Sequence, residues 1–312
     1  MRNDLQLLEL LLKDQSLSSP ESNSYISWAT DDYSVTDADK TGDNSPFSFN
    51  AQITPELVSH HQDLIQPRIK KHPSMQTSRS KNRAEVFTPA WICNAQNNLV
   101  DEQWFGKRDV FNSEHIDENG EHAWVTSQQP VVFPKNRTWM SYVRARRMEI
   151  TCGEGPYLVS RYDTTTGRLI PIGERIGMLD RKFRIINENT PSEPTKANKR
   201  QWIRKAYQAL QSVYGFDSQG DNVFLTRESV FLSFCEYYTE RWHRQPHRDA
   251  VLKAAEIISW NIWQMDGLNF NVPNSDRDAV IMEWHNAEPL DGKRIACTFR
   301  CNFSQASKRS SG

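Results

Sequence analysis

The chain reads as an α/β protein with a mostly parallel sheet, and three observations carry that reading. Segments of helical and strand periodicity alternate from about residue 84 to 290. Two apolar segments end on an acid at Asp217 and Asp266. A third apolar segment ends in the glycine loop Cys152-Gly153-Glu154-Gly155. Alternation of this kind favours parallel strands covered on both faces, and in open sheets of that kind ligands collect at the carboxyl ends of the strands.

The elements follow in order. "TPAWICNAQNNLVDEQWF" carries apolar residues at helical spacing, with Thr88 as an expected N-cap and Pro89 in the first turn. "TWMSYVRARRMEI" reads as a helix running into a short strand. "NKRQWIRKAYQALQSVYGFD" predicts an amphipathic helix with Trp202, Ile203, Ala206, Leu210 and Val213 on one side, leading into a strand that ends near Asp217. "NVFLTRESVFLSFCEYYTERW" and "RDAVLKAAEIISWNIWQMDG" read as two further helices, and "AVIMEW" as a strand. No internal repeat is evident.

Outside this body the composition changes. Residues 14–52 are rich in Ser, Asp and Asn and poor in aliphatics, which predicts a mobile arm. Residues 66–83 concentrate Lys and Arg with almost no acid, so 1–83 reads as a flexible arm with a basic segment, either a solvated linker or a phosphate contact through Arg79, Lys81 and Arg83. Residues 291–312 form a short basic tail. With a formal net charge of −1, any nucleic-acid binding must rest on local patches.

No run of about 18 apolar residues occurs, and acids interrupt the apolar start "MRNDLQLLELLLKDQ", so neither a membrane span nor a signal peptide is expected and the chain is assigned to the cytosol. The five cysteines, Cys93, Cys152, Cys235, Cys297 and Cys301, have no framework spacing and are expected reduced. Cys297 and Cys301 with His285 lack a second ligand pair for zinc. The pair His243 and His247 is interrupted by a proline, so no metal is expected. Trp91, Trp104, Trp139, Trp202, Trp260 and Trp263 read as core packing, Arg144, Arg146 and Arg147 as a solvated or acid-pairing face, and Arg161 with Asp163 as an ion pair.

The succession "FTP", "EITCGEGPYL", "YGFDSQGDNVFLTRES" and "WQMDGL" resembles the N6-adenine DNA methyltransferases of bacterial restriction-modification systems, in particular the group labelled restriction endonuclease subunit M, over roughly residues 65–290. The resemblance implies a Rossmann-like S-adenosylmethionine-dependent methyltransferase fold at 84–290, double-stranded DNA as substrate, and a restriction or second modification subunit as partner. It implies cofactor contacts from Phe87, Thr88 and Pro89, a cofactor loop of Glu149, Cys152, Gly153 and Gly155, ribose binding by Asp217 and adenine contact by Asp266. A sulfonium cofactor suits a cup with acidic walls; a dinucleotide would call for three spaced glycines at a helix N-terminus.

Two departures stand out. About 60 residues separate the glycine loop from Asp217, which implies an insertion at about 160–200. The family's catalytic tetrapeptide, Asn, Asp or Ser followed by Pro-Pro and an aromatic, is absent downstream of Asp266; the nearest string is "NAEP" at 286–289, and Asn261 and Asn286 are the nearby amides that would have to replace it. The expected function is therefore DNA adenine-N6 methylation, alone or with a partner, with a non-catalytic cofactor- or DNA-binding subunit of a defence system as the alternative. A nuclease built on "LDRK" at 179–182 or "LDGK" at 290–293 lacks a matching acid.

Overall fold

Leu7, Leu8, Leu11 and Leu12 are all buried on one helix, α1 (Leu5–Leu12), whose first turn is capped by Asp4 accepting the Leu7 N–H at 3.1 Å. The computed structural model describes residues 1–33, 45–83, 87–285 and 292–296. After α1, isolated bridges join Lys13 to Tyr25 and Ser27 to Gln52. Then follow α2 (Pro55–His60), a 3₁₀ turn at Arg68–Lys70, α3 (Pro73–Arg83) and α4 (Ala90–Phe105).

The hairpin of β1 (Asn112–Ile116) and β2 (His122–Thr126) precedes α5 (Trp139–Val143) and β3 (Arg147–Ile150). The helices α6 (Met178–Asn189) and α7 (Lys196–Leu210) lead to β4 (Val213–Asp217). The helices α8 (Gly220–Trp242) and α9 (Arg248–Asn261) lead to β5 (Ile262–Gln264). Last come β6 (Val280–Trp284) and β7 (Gly292–Ala296), an antiparallel pair.

The expected parallel sheet is present but small. Its order is β3-β4-β5, with Glu149 opposite Gly215, Ile150 opposite Phe216 and Asp217 opposite Gln264. Alternation along the strands sorts the two faces. Val213, Ile262 and the Gly215 position meet the large core that holds the helices, with Leu158 Cδ1 only 3.2 Å from where a Gly215 Cβ would stand. Tyr214, Phe216 and Trp263 point the other way and pack with Met265, Val272 and Ala279. Among the described residues that second face is covered by the β6 side of the last hairpin, where the Tyr214 hydroxyl donates to the Met282 carbonyl at 3.1 Å, and not by helices.

Several expectations need correction. The described parts of the arm are packed: Ile26, Trp28, Tyr33, Phe47 and Ile53 are buried. Composition misses this because a few large apolar residues suffice when the backbone between them is hydrogen-bonded. The Ser27 N–H and carbonyl both bond the Gln264 side chain, at 2.9 and 2.8 Å, and the Trp28 carbonyl accepts the Gly220 N–H at 3.1 Å. Gly220 is required there, since a Cβ would stand 2.1 Å from the Ser27 carbonyl oxygen.

The expected insertion at 160–200 is no separate body either. It contains α6, whose Leu179, Phe183, Ile185 and Ile186 are fully buried in the main core. The first turn of α4 is not capped by Thr88; Pro89 stands at the N-cap, and Asp163 accepts the Ala90 N–H at 2.7 Å from a distant turn. Asp163 is thereby committed, and Arg161 pairs with Glu236 at 2.5 Å instead. Trp202 and Trp263 are buried as expected. Among the described residues no helix is long and apolar enough to cross a membrane.

If α1 is core and not arm, Leu8→Ala should destabilise the protein by about 2–5 kcal/mol, the range for a fully buried leucine. Denaturant titration of parent and variant measures it. An unchanged midpoint would return this segment to the status of a mobile extension.

Candidate functional site

Four of the sequence-derived features converge at the carboxyl ends of β3, β4 and β5 around a cleft of about 710 Å³. Phe87, Thr88, Glu149, Cys152, Gly153, Asp217 and Asp266 all line it. Pro89 and Gly155 are not among the lining residues.

The loop after β3 is built from left-handed residues. Thr151 (φ 49°), Gly153 (φ 53°) and Gly155 (φ 72°) reverse the chain within five positions. The Cys152 N–H continues the parallel ladder by one bond to the Phe216 carbonyl (2.8 Å), and the Gly155 N–H closes the turn on the Cys152 carbonyl (2.7 Å). The two glycines serve different needs. A Cβ on Gly155 would stand 2.8 Å from Thr226 Cγ2, so this glycine lets the loop sit against α8. A Cβ on Gly153 would meet only the Phe87 ring edge, at 4.0 Å, and would otherwise enter the cleft. The hydroxyl of the buried Thr226 donates to the Gly153 carbonyl at 2.6 Å and holds the loop in place.

Each acid of the cleft is held by backbone donors. Asp217 accepts the Gly153 N–H (3.0 Å) on one oxygen and the Gln219 N–H (2.9 Å) on the other. Burial pushes its carboxyl up to about 6; the two N–H bonds oppose this and the nearby Asp221 charge adds to it. Glu149 accepts from Leu158 (3.1 Å) and Tyr157 (3.4 Å), and burial pushes it up to about 8 despite those bonds. Glu154 takes the Arg68 N–H at 2.5 Å and the Tyr162 hydroxyl. For Asp266, burial disfavours the charge, but the N–H groups of Leu268 (2.7 Å) and Asn269 (3.2 Å) and the Asn269 amide (3.0 Å) outweigh it and hold the carboxyl below its usual range. Burial raises the Cys152 thiol well above its usual value, so it is a neutral wall and no nucleophile.

The basic segment is placed differently from expectation. Arg79 is fully buried and pairs with Asp221 at 2.9 Å and Asp32 at 3.0 Å. It is therefore a structural cation, unavailable to phosphate, because α3 lies against the start of α8. Lys81 is exposed. The Arg83 side chain, Asn286, Cys297 and Cys301 lie outside the described residues. Asn261, the other candidate for the missing catalytic amide, donates to the Leu210 and Val213 carbonyls and accepts from Trp284 Nε1, so its side chain is consumed at the amino end of the sheet.

His247 caps α9 through the Ala250 N–H (3.3 Å) and His243 ends α8 in a left-handed conformation, so both histidines serve helix termini. Among the described residues no cluster of three or more His, Cys, Asp or Glu is placed to hold a metal. The acid and lysine of "LDRK" are buried in α6, with Lys182 Nζ bonded to the Ala145 carbonyl and Ser212 Oγ.

Sequence reasoning missed Thr226, Tyr157, Gln219 and Asn222. The last two stand directly after the acid-terminated strand in "DSQGDN", the place where a strand hands over to a helix, and that position was the available signal.

The raised Glu149 carboxyl makes a prediction about stability. An ordinary glutamate titrates near 4.5 and this one near 8, so the stability it contributes is complete below 4.5 and is lost as pH rises toward 8. Glu149→Gln removes that loss. The variant should gain on the parent between pH 5 and pH 8 by at most about 1.4 kcal/mol per pH unit, read as the difference of their unfolding free energies. A difference that does not move with pH would show that Glu149 titrates normally.

Comparison with protein-family models, with curated proteins and with solved structures finds no match to this chain.

Proposed function

We propose that the cleft binds S-adenosylmethionine and that the chain is an adenine-N6 DNA methyltransferase of a restriction-modification or related defence system, complete only with a partner subunit. The observation that carries this reading is the lining of the cleft: among the described residues it includes Glu149, Glu154, Asp217 and Asp266 and no Lys or Arg, and Asp217 and Asp266 are the acids that carry charge at neutral pH while Glu149 stays protonated. An acidic cup favours a cationic ligand and repels phosphates. Its volume suits a ligand of nucleoside size.

In this reading Asp217 keeps its two backbone bonds and uses remaining lone pairs to accept from ribose hydroxyls. The open side of Gly153 and the Phe87 ring flank the methionine portion. Asp266 acts through its turn: its carboxylate is spent on Leu268 and Asn269, which leaves Gly267 and Leu268 as the wall against the adenine ring. Bound S-adenosylmethionine supplies an electrophilic methyl group on a sulfonium.

The alternative, a non-catalytic cofactor- or DNA-binding subunit, is favoured by a specific observation. The sequence contains no Pro-Pro pair, hence no tetrapeptide to accept and stack a flipped adenine. Lys81 remains as an exposed candidate for phosphate contact.

Titration with labelled S-adenosylmethionine, followed by methyl transfer to duplex DNA with and without candidate partners, separates the two readings. The isolated chain should bind the cofactor and transfer methyl groups very slowly or not at all. Gly153→Val should abolish binding in a folded protein, and Asp217→Ala should weaken it roughly 10- to 100-fold. Because the ligand's hydroxyls need an ionised Asp217, affinity should rise as pH passes upward through about 6. Unaltered affinity in folded Gly153→Val would end the cofactor reading; robust turnover by the chain alone would end the partner requirement.

A further inference from the structure

A second cavity, of about 280 Å³, lies on the far side of α6 and shares no lining residue with the cleft. Its walls include Arg175, Arg181, Arg184, Asp180, Phe111 and Tyr237. Arg181 is 2 % exposed. Its terminal nitrogens are fixed by Asp101 (2.7 Å), Asn94 (2.9 Å) and Asn98 (2.8 Å), yet its Nε is buried with no acceptor. A buried N–H of a guanidinium without an acceptor is rare and costly, and it points to an acceptor that occupies the space beside it.

The charge around the cavity points the same way. Arg181 pairs with Asp101, Arg175 with Glu236 and Arg184 with Glu188, while Arg147 and Arg161 also reach Asp101 and Glu236. On the wall itself stand the guanidiniums of Arg175, Arg181 and Arg184 and the carboxylates of Asp180 and Glu188, three positive groups against two negative, an excess of one positive charge. The Asp180 carboxylate does not take the Arg181 N–H: Oδ2 accepts the Ser160 N–H (2.8 Å), the Ser160 hydroxyl (3.2 Å) and the Gly177 N–H (3.1 Å), and Oδ1 is a buried acceptor without a hydrogen bond. A cavity, a net positive wall and an unmet donor thus coincide in one place.

We propose that this cavity is a binding site for a small oxyanion, a carboxylate or a phosphate group, that accepts the Arg181 Nε–H. The anion completes the guanidinium's bonds and balances the excess charge. Gly173 stands at an exposed place on the wall with nothing within 4 Å of where a Cβ would be, so a larger residue there narrows the mouth of the cavity without displacing a neighbour.

Thermal unfolding of the full chain would be followed in sodium phosphate and in sodium acetate, each against sodium chloride at equal ionic strength. The expected result is a saturable rise of a few degrees with one of the two anions, its identity deciding between phosphate and carboxylate. Gly173→Val should unfold near the parent temperature in chloride and lose the anion-dependent rise. Arg181→Lys, which keeps a cation for Asp101 but removes Nε, should lose it too. No saturable rise with either anion would overturn the proposal and leave the cavity to water. An undiminished rise in both folded variants would overturn it as well, as an adventitious ion only.

Discussion

The cleft depends on one buried carboxylate. Asp217 ends the central strand and gathers the N–H of Gly153 from the loop after β3 and the N–H of Gln219 from the approach to α8. Without it, two backbone donors at converging strand ends would lack a partner in a place that water reaches poorly. The same bonds fix the loop against the left-handed conformations it must adopt, and Thr226 repeats the fastening from the α8 side through the Gly153 carbonyl. The cost is visible in the carboxyl, which burial pushes up to about 6. A group so placed is strained toward neutrality, and a ligand offering hydroxyl donors would relieve it.

Four residues later, Asp221 meets the opposite fate and explains why the basic segment is where it is. It is as buried as Asp217, but Lys71, Arg79 and the Tyr33 hydroxyl all donate to it, at 2.9, 2.9 and 2.7 Å. Burial resists the charge, and the two cations outweigh it, so the carboxyl is held far below its usual range. Removing one cation would leave the remainder of a desolvated network unbalanced, which is why such clusters fix chain placement strongly even when their net contribution to stability is small. Through Asp221, α3 and the Tyr33 region are fastened at the start of α8. Through Glu154, the Arg68 turn is fastened to the glycine loop. A stretch that composition reads as linker thus packs behind the cleft's Phe87, with the Arg68 guanidinium 5.1 Å over that ring.

What the sequence made legible were features governed by local rules. The helical periodicity around Trp202, Ile203, Ala206 and Leu210 is a property of one segment, and those four residues are buried as read. The strand end at Asp217 and the glycine loop are likewise local, and their meeting follows from the rule that sites gather at the carboxyl ends of parallel strands. What escaped were pairings at long range. Nothing near Ala90 announces that Asp163 will cap its helix, and nothing near Arg79 announces Asp221. The packed N-terminal region escaped for a related reason: Ile26, Trp28 and Ile53 are too sparse for a periodic signal, and their burial depends on Gln264 and Gly220 at the other end of the chain. The small sheet and its hairpin cover escaped because "AVIMEW" has the same pattern whether it adds a strand to the sheet or lies across it.

The one-way order of the sheet bears on the proposed need for a partner. In doubly wound folds the binding crevice lies where the strand order turns back, so that two sets of loops close on the ligand. Here the described strands run β3-β4-β5 in a single direction, and β3, the strand that feeds the glycine loop, stands at the edge. Two exposed aliphatics border the cleft on opposite sides: Ile150, at the end of β3, is 67 % exposed and Leu268, after β5, 89 %. Exposed aliphatics bordering an acidic cup are poorly placed for water and well placed for a surface that covers them. Among the described residues the cleft supplies acids, a glycine loop and the amides of Gln219 and Asn222, and it is bordered by exposed aliphatics. Those exposed aliphatics are the physical ground for the proposed partner, independent of the missing tetrapeptide.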